Sequence, residues 1–253
     1  MNNVLIRLIM MSSLFFLNGC NELSKLSKVY EVEPENKAEI SAFFKTIDNI
    51  EVAEEFIEKN NFDINQPDKN GHSFLIAAIM TDNIELAEKL LQLGGNPNWV
   101  YTNQRGISSM GWAAQYKDDS FLKLLISYGG DINLYNVGQK SMQYPLINTI
   151  MTDRYDNFTL LLGRGANPNV VTTTEQTPTT YTTSTGAWRM TMDLLNAGAD
   201  FNYKDSRGVG IQSYIEINGY GTQGEKGQWR RKVVEFLESK GMELNLRVPL
   251  ENE

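Results

Sequence analysis

One short phrase recurs along this chain at nearly constant intervals, and a fixed internal period decides architecture before any local propensity does. The phrase is an acidic or amide residue, one spacer and an asparagine: Asp63-Ile64-Asn65, Asn96-Pro97-Asn98, Asp131-Ile132-Asn133, Asn167-Pro168-Asn169, Asp200-Phe201-Asn202 and, weakly, Glu243-Leu244-Asn245. The final asparagines stand at 65, 98, 133, 169, 202 and 245, in steps of 33, 35, 36, 33 and 43. Apolar helical stretches such as Ile84–Leu91 and Phe121–Ile126 lie ahead of the phrase, and a glycine such as Gly94 or Gly129 separates the two. That glycine suits the left-handed residue that ends a helix. The Asp or Asn after it favours a turn through its own side-chain hydrogen bonds. A single helix pair of this size cannot bury its apolar face alone, so several must stack.

The pattern resembles the ankyrin repeat, whose period is about 33 residues, a turn plus two helices. Thr177-Pro178 opens the first helix of the fifth unit as the family pattern wants, and Tyr144-Pro145-Leu146 holds the same place in the fourth. Ala113-Ala114 fill the paired small-residue site of the third, and Leu-Leu followed by Gly-Ala recurs at Leu161-Leu162 with Gly165-Ala166 and at Leu194-Leu195 with Gly198-Ala199. The resemblance implies an all-α ankyrin-repeat solenoid of about five to six helix-turn-helix units over residues 38–245.

Residues 1–19 read as a leader outside the fold. Arg7 gives a thin positive start, and Leu8–Leu17 is an apolar run too short for a permanent transmembrane helix. Leu17-Asn18-Gly19-Cys20 then resembles a bacterial lipoprotein signal, which implies cleavage before Cys20 and acylation of that residue, as by palmitate. An uncleaved anchor helix or an ordinary cleaved signal are the alternatives. Cys20 is the only cysteine, so no intramolecular disulfide can form. Asn21, rather than aspartate, after it implies an outer-membrane lipoprotein facing the periplasm, the inner membrane being the alternative. Residues 20–37 are expected to be a mobile lipidated tether, and 246–253 a C-terminal tail.

Phe43, Phe44 and Ile47, then Val52, Phe56 and Ile57, mark two amphipathic helices that would cap the array at its N-terminal end. In the fourth unit Thr149-Ile150 replace the small pair. The fifth is threonine-rich from Thr172 to Thr185, a composition that alone suggests strand or disorder. Its register holds, with Thr182-Thr183 at the small-pair site, so it reads as a strained or irregular ankyrin helix, functional or drifted. In the sixth, Gly219–Gly227 is expected to be an irregular insertion between helices.

The formal charge is −8, or −9 once Arg7 is lost with the leader, which argues against nucleic acid or an anionic membrane surface as the main partner. No catalytic or metal-binding constellation is apparent, and no cofactor is implied. His72 is the only histidine and reads as a solvent-facing turn residue; the glycines at 219–227 lack the order of a phosphate loop.

Carried over by register, the resemblance implies a partner-binding ladder on the first helices that includes Ala77, Trp112, Asn148 and Tyr181, with Tyr116 and Thr185 one turn further. The fingers between units would add Trp99, Tyr101, Arg105 and Tyr135. Trp, Tyr and Arg dominate interface energetics. Ankyrin lipoproteins of this kind resemble the immunity proteins that neutralise phospholipase toxins of type VI secretion systems. That implies a protein partner, basic or a toxin, and membrane attachment only through the lipid. The alternatives are an envelope scaffold that assembles or protects a periplasmic enzyme, and a hydrolase using carboxylates of the threonine-rich unit, with Asp205 as its test residue.

Overall fold

The computed structural model describes residues 30–31, 36–100, 107–136, 144–217 and 223–247. The leader, Cys20, most of the tether, Tyr101, Arg105 and the tail beyond 247 lie outside them. Twelve helices follow in six pairs, and no strand forms among the described residues. They are α1 (Lys37–Phe44), α2 (Ile50–Asn60), α3 (Phe74–Met80), α4 (Ile84–Gln92), α5 (Ser109–Ala114), α6 (Ser120–Ser127), α7 (Pro145–Met151), α8 (Tyr155–Gly163), α9 (Pro178–Thr185), α10 (Trp188–Asn196), α11 (Ile211–Ile217) and α12 (Gly224–Ser239). The all-α ankyrin reading is therefore met, pair for pair.

Each pair begins and ends for local reasons. Ser73 caps α3 by accepting from Ile76 N–H, and Asn83 caps α4 by accepting from Leu86 N–H. Beyond α4, Gly94 takes φ +90°, a conformation that costs a side-chain-bearing residue far more. The phrase follows as an Asx turn: Asp63, Asn96, Asn167 and Asp200 each accept from the backbone N–H two residues on.

The asparagine that closes the phrase does something the sequence reading missed. Its side chain reaches into the next unit. Asn65 accepts from Asn96 N–H at 2.7 Å and donates to Gly94 O at 3.2 Å. Asn98 does the same with Asp131 N–H at 2.7 Å and Gly129 O at 3.1 Å. Asn169 repeats it with Asp200 and Gly198, and Asn133 accepts from Asn167 N–H. The period is thus written in the residue that staples each turn to the one after it.

The contacts divide the chain into two compact units, Met1–Ala113 with Ser120–Asp131, and Ala114–Asp119 with Ile132–Glu253. In the first, an aromatic cluster forms the end. Phe43 stacks on Phe62 at 4.6 Å, Phe44 meets Phe74 edge-on at 5.3 Å, and Tyr30 stacks on Phe74 at 4.5 Å. Phe43, Phe44 and Ile47 are buried as expected, but Val52 is exposed and Ala53 takes the inward place on α2. The tether expectation is corrected at its inner end. Tyr30 is buried, its hydroxyl donates to Gln66 O, and Glu31 N–H donates to Asp68 Oδ2, so the ordered array begins by Tyr30 rather than at 38.

His72 is corrected too. Its side chain is only 15% exposed, with Nδ1 3.2 Å from the fully buried Asp68 carboxylate, which also accepts from the His72 and Asn70 backbone. It braces the turn instead of facing solvent.

In the second unit the threonine-rich segment is a regular helix from Pro178 to Thr185, preceded by a turn with Glu175 at φ +58°. Thr177 and Thr180 form a reciprocal capping box, Pro178 follows at the first turn, and Gly186 closes the helix. The hydroxyls of Thr180, Thr182, Thr183 and Thr185 donate to carbonyls three or four residues back, which satisfies them inside the helix. Packing then overrides weak propensity. The glycine-rich insertion expected over Gly219–Gly227 is corrected in its later part, where Gly224 and Gly227 belong to α12, while 219–222 lie outside the described residues. Gly224 starts the helix at φ +59°, which suits glycine, and the interior Gly227 costs about 1 kcal/mol; burial of Val233, Val234 and Leu237 against Trp188, Ile211 and Ile215 outweighs that.

Candidate functional site

In the first unit, Trp99 follows the α4 turn and is half-buried. Its indole N–H donates to Gly71 O at 3.1 Å, which lays the ring across the preceding finger and fixes it there. Trp112, on α5, is half-buried. Tyr101 and Arg105 lie outside the described residues.

In the second unit, Tyr116 is half-buried, with Lys117 Nζ 5.4 Å from its ring. Tyr135 is 40% exposed and leans on Tyr144 at 5.2 Å. Burial first, and Tyr135 second, push the Tyr144 phenol up. Thr185 is exposed at the end of α9. Asn148 and Tyr181 depart from the expectation: they are 0% and 8% exposed, so neither offers a contact surface. Both sit in short helices, α7 and α9, that pack against each other, and the ladder position turns into that seam. Among the described residues, neither the Asn148 amide nor the Tyr181 hydroxyl finds a hydrogen-bond partner. Such groups cost roughly 1–3 kcal/mol each.

The described contact candidates therefore fall into three sets. Tyr135 and Thr185 are open, Trp99, Trp112 and Tyr116 are half-open, and Asn148 and Tyr181 are closed.

The sequence reading missed the best-formed concavity. A cleft of about 450 Å³ lies where α7 and α9 end and α8, α10 and α12 begin. Tyr155 and Trp229 wall it, Met151 and Thr185 edge it, and buried Trp188 lines it. The Arg189 guanidinium lies 4.0 Å from the Tyr155 ring and 5.9 Å from the Trp229 ring. Tyr155 donates to Asp193 Oδ2 at 2.8 Å, and burial, then Asp193, raise its phenol against the opposing pull of Arg189. Behind the wall, Arg230 is 1% exposed, donates to Ile215 O and lies 5.9 Å from the Trp188 ring. Desolvation pulls its guanidinium below the ordinary arginine value. The signal that would have found this site is register applied to the second helices: Tyr155 and Arg189 stand one repeat apart at their starts, and Trp229 near the next.

Asp205 is a turn anchor. Its Oδ1 accepts from Arg207 and Val209 N–H, and its Oδ2 takes the Arg207 guanidinium at 2.6 and 3.0 Å. Arg207 above all holds the Asp205 carboxyl below its ordinary value. Glu175 is held low mainly by Ser206 and caps the same turn. With the neighbouring threonine hydroxyls bonded to their own helix, the carboxylates once considered for a hydrolase are engaged in holding the fold. Among the described residues no group of three His, Cys, Asp or Glu side chains is placed to hold a metal ion.

Residues 39–136 match the family model described as ankyrin repeats in three copies. That stretch is similar in sequence to ankyrin repeats, and the fold of the described residues is the ankyrin-repeat fold. Solved structures extend the likeness beyond that stretch. The ankyrin repeat domain of Bcl-3, a member of the IkappaB family, is 17% identical, covers 81% of this chain and 88% of its own, with a TM-score of 0.63. The ankyrin repeat protein EF0377 is 19% identical, over 77% of this chain and 96% of its own, with a TM-score of 0.60. The human ASB11 ankyrin repeat domain is 16% identical, over 76% and 81%, with a TM-score of 0.57. At these identities the likeness is one of fold. Among proteins of curated function, none matches the sequence. Ankyrin repeats generally mediate protein–protein interaction and are generally non-catalytic.

Proposed function

We propose that this chain is an immunity protein: a lipid-anchored periplasmic module that binds and sequesters a secreted toxin, such as a phospholipase. The observation that carries the binding reading is the repeat array itself, with tryptophan and tyrosine side chains held half-open at Trp99, Trp112 and Tyr116 and open at Tyr135. Rigid aromatics at such positions supply contact area at low entropic cost. The formal charge of −8 favours a basic partner by steering it toward the array. The Leu17-Asn18-Gly19-Cys20 run supports cleavage and acylation at Cys20, and Asn21 supports outer-membrane placement facing the periplasm. Several acyl chains would anchor far more firmly than one.

The test is co-purification of the protein with the toxin encoded beside it, together with deletion of its gene. Expected are a stable complex and loss of resistance to attacking sibling cells. Full resistance in the deletion strain would refute the immunity role. Labelled palmitate should be incorporated into the protein and not into Cys20→Ala; labelling of the variant would refute the anchor.

A further inference from the structure

The cleft beside Tyr155 and Trp229 has a built-in chemistry that the charge of the chain hides. Its volume of about 450 Å³ falls within the roughly 300–1,000 Å³ typical of recognition pockets. Two cations line it, Arg189 and Lys226, and neither pairs with a carboxylate among the described residues. The guanidinium is committed to the rings of Tyr155 and Trp229. A ring engages the face of a guanidinium, whereas a carboxylate binds its N–H edge in a two-pronged pair. The aromatic contacts hold Arg189 in place, and no carboxylate among the described residues takes its guanidinium.

The remaining walls narrow the ligand further. Met151 is 46% exposed at the rim, an adaptable apolar surface beside the charge. Two acidic residues, Asp153 and Glu225, also line the cleft, and Glu225 Oε1 accepts from the Trp229 indole at 3.4 Å. They oppose a densely charged anion such as a phosphate cluster and suit a single carboxylate flanked by apolar surface.

We propose that this cleft anchors an acidic segment of the protein partner: one carboxylate on the Arg189 edge with Lys226 at the rim, and an adjoining aromatic or aliphatic side chain against Trp229 and Met151. The inference rests on the protein-binding reading above and names where that binding is centred. One acidic stretch is enough for this contact, so a partner that is basic overall can carry it.

The experiment uses the full-length protein in detergent solution with three probes: a fluorescein-labelled peptide alternating glutamate and phenylalanine, its glutamine counterpart, and phenylacetate. Fluorescence anisotropy should show saturable binding of the acidic peptide and at least tenfold weaker binding of the glutamine peptide. Arg189→Ala should weaken the acidic peptide at least tenfold. Arg189→Lys should weaken it less, because charge is kept and the fork is lost. Arg189 is exposed, so both variants should keep the parent circular dichroism. Equal binding of both peptides, indifference to Arg189→Ala, or no binding at millimolar peptide would overturn the proposal. So would phenylacetate displacing the peptide with matching affinity, which would make the cleft a small-molecule site. All of these failures leave toxin co-purification standing; loss of co-purification alone would instead sink the immunity reading.

Discussion

Removing one staple between units gives a calculable loss. Asn98 Nδ2 donates to Gly129 O at 3.1 Å, and its Oδ1 accepts from Asp131 N–H at 2.7 Å. Asn98→Ala deletes both bonds while leaving the turn's own bond, Asn98 N–H to Asn96 Oδ1, untouched. Each intramolecular hydrogen bond is worth about 0.5–1.5 kcal/mol net. These two are exposed, so water replaces part of each, and the expected loss is about 1–2 kcal/mol in total. Asn98→Asp keeps the acceptor for Asp131 N–H and loses the donor to Gly129 O. It should cost about half as much in concentrated salt, where repulsion from Asp131 is screened. The assay is urea unfolding followed by tryptophan fluorescence, paired with hydrogen exchange at the Asp131 amide. A repeat array can open piecewise, and the amide reports the local event even if the global midpoint moves little. A loss below about 0.5 kcal/mol with unchanged exchange at Asp131 would refute the staple argument.

Other expectations follow from the same packing. Trp188 is fully buried among Ile211, Ile215, Val233 and Val234, so Trp188→Ala should cost about 3–5 kcal/mol in urea titration; a loss below about 1 kcal/mol would mean the core is assigned wrongly. Thr177→Ala breaks the capping box of α9 and should cost about 1 kcal/mol, whereas Thr183→Ala, whose hydroxyl donates to Thr179 O and Thr180 O of its own helix, should stay within about 1 kcal/mol of the parent, since a lost methyl offsets better propensity. Thermal melts followed by circular dichroism would rank the two. Glu216 accepts from Asn245 N–H and Gln212, and these bonds, the backbone one first, hold its carboxyl below the ordinary 4.5. A depressed folded value means its stabilisation is present above 4.5 and lost as pH falls through the folded value. The protection factor of the Asn245 amide, taken relative to its intrinsic exchange rate at each pH, should therefore fall on acidification in the parent and change less in Glu216→Gln; identical profiles would refute the linkage.

The sequence was most informative where local chemistry and the period coincide. The six asparagines, the glycines after the second helices and the Thr177-Pro178 start pointed to five to six helix pairs and their turns, because caps and turns depend on neighbours in the chain. The same register carried the threonine-rich unit correctly to a helix but misjudged its regularity. Hydroxyl-to-carbonyl bonds within one helix depend on rotamers that composition does not specify. Gly224 and Gly227 misled for the converse reason: their helix is held by residues further along it that pack on another pair.

The site was less legible. A register position states which residue sits on which helix and not how deeply its neighbours bury it, so Asn148 and Tyr181 were expected at a surface that the packing of α7 on α9 closes. The cleft of Tyr155, Arg189 and Trp229 joins three units, and no spacing within one of them points to it. What the sequence by itself determined was the repeat: helix pairs, their turns and their order, all set by interactions only a few residues long. What the tertiary structure alone decided was which side chains stay open and which cations stay unpaired, because exposure and pairing are settled by residues from neighbouring repeats meeting in space.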